Sequence, residues 1–238
     1  MAPQAIRRLV PSEVRRRLHH QLNRVRRPAW LGTLRRTTPL STIWGHDRGT
    51  PIDRVYIESF LSDHRHDIRG RVLEVRDNDY TARFGTRVSR SDVLDIDPGN
   101  PCATIRADLE AADAIRSESF DCFILTQTLQ YLADVPGSLV HARRILKAGG
   151  VLLATVPVVA PIDRLANQPD RWRFPPELCG LLFNAVFGQQ HVQVQAYGNV
   201  LACIAFMVGM AREELSPDEL GSYDPAFPLV AGVRAVKA

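Results

Sequence analysis

Two arginines bracket a tryptophan at Arg171, Trp172 and Arg173. A planar ring covers the apolar face of a sugar, and a guanidinium binds carboxylate or phosphate through two parallel hydrogen bonds. The triplet therefore suits a sugar-bearing or anionic ligand. Trp44, Arg48 and Asp53 form a second polar-aromatic cluster, with His46 inside it. His64 and His66 form an HxH pair amid charged residues, but no third ligand lies near them in the chain, so they read as a surface pair rather than a metal site. The sequence holds no GxSxG elbow, Walker phosphate loop, HExxH or zinc-type cysteine spacing, which removes the common hydrolase, nucleotidase and zinc chemistries.

The stretch GRVLEVRDNDYTARFG, residues 70–85, raises a different possibility. A buried-type strand runs into an acid, Glu74, and then into a turn. In nucleotide-binding α/β domains that turn is rich in glycine, because only a residue without a Cβ lets the backbone close on a ligand. Here Arg76, Asn78 and Tyr80 stand in its place.

The elements that must position these groups follow from apolar periodicity. RVLEV, RVSRSDVLDI, CATIRADL, FDCFILTQ and GGVLLATVP read as five strands, bounded by turn residues and partly joined by helical stretches,. TPIDRVYIESFL reads as a helix with Thr50 as N-cap and Pro51 in its first position. DVPGSLVHARRILKAGG reads as a helix stopped by Gly149. PPELCGLLFNAVF and VLACIAFMVGMAREEL read as later helices, and HVQVQAYG and FPLVAGVRAVKA as strands. Val- and Leu-rich strands with such spacing predict an α/β fold: a mostly parallel, seven-stranded, Rossmann-like sheet covered by helices on both faces.

The order of these phrases resembles the class I S-adenosylmethionine-dependent methyltransferases from about residue 50 to the C-terminus. GRVLEV is similar to the family's first strand, SDVLDID to the second, and ATIRADLEAAD to the third with its acidic turn. SFDCFILTQTLQYLADV resembles the fourth strand and the turn after it, and ARRILKAGGVLLATVP the following helix and fifth strand. DRWRFPPELCGLLFNAVF resembles the segment after strand five. The resemblance implies S-adenosylmethionine as cofactor. It implies cofactor contacts at Glu74, Arg76 and Asn78 around the first turn. Asp92 or, in another register, Asp95 would take the ribose hydroxyls, and Asp108 with Leu109 the adenine. Thr126 and Gln127 would border the amino-acid end. The departure is the turn itself, which lacks the E-x-G-x-G-x-G pattern; Asn78 or Asp79 is expected to take the positive φ that a glycine would have taken.

The same resemblance folds the N-terminal segment over the active site, which makes His46 the candidate general base. Tyr131 stands where the family often carries a histidine; with an ordinary pKa of about 10 it suits orienting a ligand better than removing a proton. Trp44, Arg48, Arg171, Trp172 and Arg173 are then the expected substrate residues. The phrases WGHDRGTPIDR through GNVLA also resemble bacterial methyltransferase-like proteins associated with glycosyltransferases, which implies a sugar or glycoconjugate acceptor.

The chain has 238 residues, 45% of them apolar, enough for one substantial core,. The sequence divides into a basic arm (1–40) and a methyltransferase-like domain (41–238), with a lid and helix over 41–69, a core over 70–157 and a substrate side over 158–238. Residues 1–36 hold ten arginines and one acid, Glu13, whereas the rest is mildly acidic. Leu9, Val14, Leu18, Leu22 and Val25 recur at helical spacing in the arm, which reads as a basic amphipathic helix suited to a membrane surface or an acidic partner. Without interleaved aromatics for base stacking, nucleic acid is not favoured. The apolar helix over residues 200–215 is a candidate extension of the substrate pocket or a dimer face. The scattered cysteines read as unpaired thiols of a reducing compartment, so a cytoplasmic protein is expected.

Two functions follow for the methyltransferase-like domain, beside a third in which the arginine arm makes the protein a peripheral membrane or nucleic-acid binder. The first is methyl transfer from S-adenosylmethionine to a small molecule, on a hydroxyl of a sugar, glycoconjugate or natural product. The second is a protein that keeps the fold without transferring methyl groups, such as a repurposed cyclase or lyase or a non-catalytic partner of a glycosyltransferase.

Overall fold

The computed structural model describes residues 32–238 together with Pro11, Val14 and Leu18. The chain forms two compact units, Met1–Thr38 and Pro39–Ala238. In the first, Val14 and Leu18 are helical and exposed, and Gly32–Leu34 is a 3-10 turn. The expected register of Leu9, Leu22 and Val25 lies outside the described residues.

The second unit carries seven strands and six helices in the order α1 (Ile52–Asp63), β1 (Gly70–Val75), α2 (Asp79–Phe84), β2 (Val88–Asp95), β3 (Ile105–Arg106), β4 (Phe120–Thr126), α3 (Val135–Ile145), β5 (Leu146–Pro157), α4 (Pro176–Phe187), β6 (Val192–Tyr197), α5 (Val200–Val208), α6 (Pro217–Gly221) and β7 (Val230–Val236). They make one sheet in the order β3-β2-β1-β4-β5-β7-β6. The pairs from β3 across to β5 are parallel, and β7 runs antiparallel to both β5 and β6.

Side chains alternate across a strand, so each buried strand feeds two cores. Leu73, Phe123, Leu125 and Leu152 face a layer closed by α3 and α4. Val72, Cys122, Ile124 and Leu153 face the opposite layer, closed by α1 and α5. Gly232 on β7 lets α1 sit close: a Cβ there would fall 2.5 Å from Cδ2 of Phe60.

Three helix ends differ from expectation. Thr50 does not cap α1; Pro51 occupies the N-cap position, and Thr50 turns its N–H and hydroxyl to Glu213 at 2.9 and 2.8 Å. Helix α3 ends at Ile145, and Leu146 is already extended and paired with Phe120, so β5 begins with no loop. Gly149, with φ 73°, lies inside β5 near the shifted register opposite Phe120 and Cys122; its freedom serves a bulge, not a helix stop. Helix α5 stops at Val208 because Gly209 turns left-handed, at φ 80°, and sends Ala211 to bridge Pro51,. Cys122, Cys179 and Cys203 are buried free thiols, and Cys102 is exposed.

Candidate functional site

The sheet's direction of winding reverses between β1 and β4, since β2 and β3 lie to one side and β5 to the other. At such a switch point the loops leave in opposite directions and open a crevice at the carboxyl ends of the strands. A cleft of about 1000 Å³ lies there, bounded by the ends of β1, β2, β4 and β5 and roofed by the segment Ile43–Arg54.

The first wall is the turn after β1. Glu74 lines the cleft but is only 1% exposed, and both its carboxylate oxygens are taken. They accept the backbone N–H of Tyr80 (3.1 Å) and of Thr81 (2.7 Å) and the Thr81 hydroxyl (2.6 Å). The acid thus anchors the first turn of α2, a job the glycine-free sequence leaves to it. Positive φ falls on Arg76 (76°), not on Asn78, which has φ −126°, is exposed and is not among the residues lining the cleft. An Asn100 amide donates to the Arg76 carbonyl at 2.6 Å and fixes this strained residue,. Tyr80 also lines the cleft but is 8% exposed, and its hydroxyl accepts from Arg54 of α1 at 2.6 Å.

Burial pushes the Glu74 carboxyl up to about 7, against the opposing pull of its Thr81 and Tyr80 donors. A carboxyl that keeps its proton longer in the folded than in the unfolded chain makes stability fall as pH rises between the two values, here from about 4.5 to about 7,. Thermal melts across pH 5–7.5 should show this fall, on the order of 1–3 kcal/mol. The same melts of Glu74→Gln should lack that component; identical slopes for the two proteins would refute it.

The second wall holds the acids of β2 and of the turn after β3. Asp92, a candidate ribose ligand, lies mid-strand, 1% exposed, clamped by Arg71 (2.7 Å) and Arg90 (2.9 Å). Burial opposes its charge, but the two guanidinium groups outweigh that and hold its carboxyl below the ordinary range. It lies outside the cleft lining. Asp95, at the end of β2, lines it. Asp95 accepts from the Asp97 N–H (2.9 Å) and from Asn100 Nδ2 (2.5 Å). Asp108 and Leu109 also line the cleft; one Asp108 oxygen accepts the Glu110 N–H at 2.9 Å.

The third wall is the turn after β4. Thr126 and Gln127 border the cleft, with Gln127 at φ 46°. The Tyr131 hydroxyl donates to Asp163 at 2.8 Å. Burial and this carboxylate acceptor raise the Tyr131 phenol, so it stays protonated at neutral pH. Arg171 and Trp172 do not line the cleft. They strap this turn from outside: Arg171 reaches the Tyr131 carbonyl, its N–H meets the Gln130 carbonyl at 2.8 Å, and the Trp172 indole donates to Leu132 at 2.8 Å. Arg173 does line the cleft but is spent on Asp170 and on the carbonyls of Ala160 and Pro161. The expectation of an arginine clamp for an anion fails because protein acceptors already hold these donors.

In the roof, Trp44 (φ 56°) and His46 line the cleft. Arg48 does not; it pairs with Glu214, its Nε 3.0 Å from the carboxylate. Asp53, in the first turn of α1, faces the cleft with an enclosed oxygen, Oδ1, that has no hydrogen-bond partner. Gln127 Nε2 and Gln130 Oε1 are likewise enclosed and unpaired. Sequence reasoning grouped Asp53 with its neighbours and passed over Gln130; its position three residues after Gln127 in one turn was the only signal.

Among the described residues, nine carboxylates line the cleft against three arginines, Arg54, Arg76 and Arg173. Among the described residues no His, Cys, Asp and Glu group has the makings of a metal site, and no helix is long and apolar enough to cross a membrane.

Residues 70–154 match the family model described as "Methyltransferase domain", and this stretch supplies β1 to β5 and most of the cleft floor. No curated protein matches the chain. Solved structures with the same fold include a SAM-dependent methyltransferase from Archaeoglobus fulgidus (12% identity, 77% of this chain and 94% of that one, TM-score 0.50). An S-adenosylmethionine-dependent methyltransferase from Mesorhizobium loti is similar at 19% identity over 78% of this chain and 98% of that one, TM-score 0.50. The [4+2]-cyclase SpnF matches at 14% identity over 80% and 83%, TM-score 0.51. The fold is that of the Rossmann-like class I methyltransferases.

Proposed function

We propose, starting from the methyltransferase domain of residues 70–154, that this protein is an S-adenosylmethionine-dependent methyltransferase acting on a hydroxyl of a neutral, sugar-bearing small molecule. One observation carries the cofactor reading: Asp95, at the end of β2, and Asp108, in the turn after β3, both line the cleft and are held in place by their own turns. The residues present fit the group. A cleft with nine carboxylates and three arginines favours a cationic ligand,. The unpaired Gln127 amide and the acceptors on Asp53 and Gln130 offer both polarities to its charged end.

Bound there, the cofactor supplies an electrophilic methyl group on sulfur. The chain's own residues do the rest. Asp95 and Asp108 orient the nucleoside, and the roof of Trp44 and His46 limits water around the reacting atoms. Tyr131, protonated and with its one O–H given to Asp163, can only receive a hydrogen bond from the hydroxyl being methylated and does not take its proton. His46, the one histidine on the cleft wall among the described residues, is the base. The volume of about 1000 Å³ stands at the upper end of the range of about 300–1000 Å³ common for small-molecule sites,. It leaves room for an acceptor beside the cofactor. The sugar rests on the resemblance to glycosyltransferase-associated proteins and on Trp44 in the roof. An anionic acceptor is disfavoured because Arg48, Arg171 and Arg173 are occupied by protein groups.

A second reading, the fold without methyl transfer, is favoured by one observation: the β1 turn is closed by Glu74 and Arg76 rather than left open by glycine. The presence of a [4+2]-cyclase on the same fold shows that the architecture hosts other chemistry,. Calorimetric titration with S-adenosylmethionine separates the two. Micromolar binding, followed by transfer of labelled methyl to a panel of glycosides, is the expected result. No heat up to millimolar cofactor overturns the proposal in favour of the second reading.

A further inference from the structure

In a cleft whose polar groups are otherwise bonded to one another, three enclosed atoms are left unpaired: Asp53 Oδ1, Gln127 Nε2 and Gln130 Oε1. Buried polar atoms are nearly always hydrogen-bonded, so orphans in one cleft, Asp53 in its roof and Gln127 and Gln130 in the turn after β4, mark a place where a ligand completes the bonding,. Two of the three are acceptors and one is a donor. Arg76, in the turn after β1, adds a cation to the same cleft, and none of the hydrogen bonds or ion pairs of the described residues uses its guanidinium. An acceptor carboxylate beside an amide donor and a guanidinium is the complement of a zwitterion: ammonium to Asp53, carboxylate to Gln127 and Arg76.

The other acid that might take an ammonium is unavailable. Both oxygens of Glu74 are committed to the N-terminal turn of α2, and the residue is 1% exposed. The remaining lining acids also have donors: Asp163 holds Tyr131, Asp170 holds Arg173, Glu110 takes the Asp134 N–H, and Asp77, Asp95, Asp97 and Asp108 accept within their own turns. Asp53 differs. Burial disfavours its charge, which the nearby Arg54 guanidinium and main-chain N–H groups only partly offset, and Oδ1 is left without a partner. A ligand ammonium placed against it would relieve a carboxylate that folding has left desolvated.

We infer that Asp53, on α1, receives the ammonium of the ligand's amino-acid end, with Gln127 and Arg76 receiving its carboxylate. The recognition that a glycine turn performs with backbone has passed to a side chain of the roof. This rests on the cofactor reading above, and the experiment keeps the two apart by using three ligands. S-Adenosylmethionine carries a sulfonium and the zwitterion; S-adenosylhomocysteine carries the zwitterion alone; 5′-methylthioadenosine carries neither.

Calorimetry on the full chain compares the parent protein with Asp53→Asn, which keeps shape and the chance to hydrogen-bond but removes the charge. Loss of a charge-assisted bond should weaken both S-adenosylmethionine and S-adenosylhomocysteine about tenfold to hundredfold, with 5′-methylthioadenosine changed less than twofold. That last ligand also reports whether the variant has kept its cleft. Gln127→Ala should weaken the same two ligands and spare the third. Equal affinity of parent and Asp53→Asn for S-adenosylhomocysteine overturns the assignment while leaving the cofactor reading intact. A loss confined to S-adenosylmethionine also overturns it, since Asp53 would then face the sulfonium. Loss of all three in a folded variant overturns it too, by placing Asp53 on the nucleoside side. Failure of the parent protein to bind any of the three overturns both claims.

Discussion

Asp95→Ala combined with Asp108→Ala should abolish S-adenosylmethionine binding, with affinity falling by about two to four orders of magnitude. Each change removes a charge-assisted acceptor, worth about 1.5–3 kcal/mol, and every 1.4 kcal/mol is about a factor of ten. The two carboxylates stand on different turns and hold different local donors, Asn100 and the Asp97 N–H for one, the Glu110 N–H for the other. Their losses should therefore add. Unlike Asp53→Asn, the pair should also lose 5′-methylthioadenosine, because the contacts removed are on the nucleoside side. Both residues sit in turns, so the melting transition should move only slightly; a melt before calorimetry shows that the cleft survives. If the folded double variant binds S-adenosylmethionine within threefold of the parent, the two acids are turn-forming residues and no more.

The second large effect is on stability. Phe123→Ala should cost about 3–5 kcal/mol, a sizeable share of the roughly 5–15 kcal/mol that holds a domain folded. Phe123 is fully buried on β4, in register with Leu73 of β1 and Leu152 of β5, under the layer formed by α3 and α4. No neighbour can move in, because the strands on either side are hydrogen-bonded and their side chains are also buried. Urea denaturation should show a lower midpoint at unchanged slope. Val140→Ala, at a site 55% exposed on α3, should change stability by less than about 0.5 kcal/mol,. A cost below about 1 kcal/mol for Phe123→Ala would mean that this core is loosely packed.

The sheet was legible because strands buried on both faces leave long apolar runs, as in FDCFILT and GGVLLATVP. Where glycines fell within those runs, the reading slipped: Gly149 looks the same on paper whether it ends a helix or bends a strand, and only the pairing of Leu146 with Phe120 decides. The choice between Asp92 and Asp95 was open for a related reason. Both are acids near the end of one apolar run, and what separates them is the pair of arginines that closes on Asp92 from the strand's other end. Asp108 was placed at the cleft by its position after β3. Arg48, Arg171 and Trp172 misled because sequence reports which donors exist, not which acceptors have claimed them. Asp53 shows the converse: an unpaired oxygen is a property of everything around it, and no motif encodes it.

The strap after β5 has a consequence for how this protein could change its substrate. Arg171 and Trp172 hold the segment Gln130–Leu132 through main-chain oxygens alone. Every residue type carries such an oxygen, so the grip does not depend on what residue 131 is. Substitutions there can alter the surface presented to the acceptor while the loop keeps its path. The strap thus separates the two demands that usually trap a specificity loop, holding its shape and varying its contents. A lineage carrying it can explore new acceptors one residue at a time.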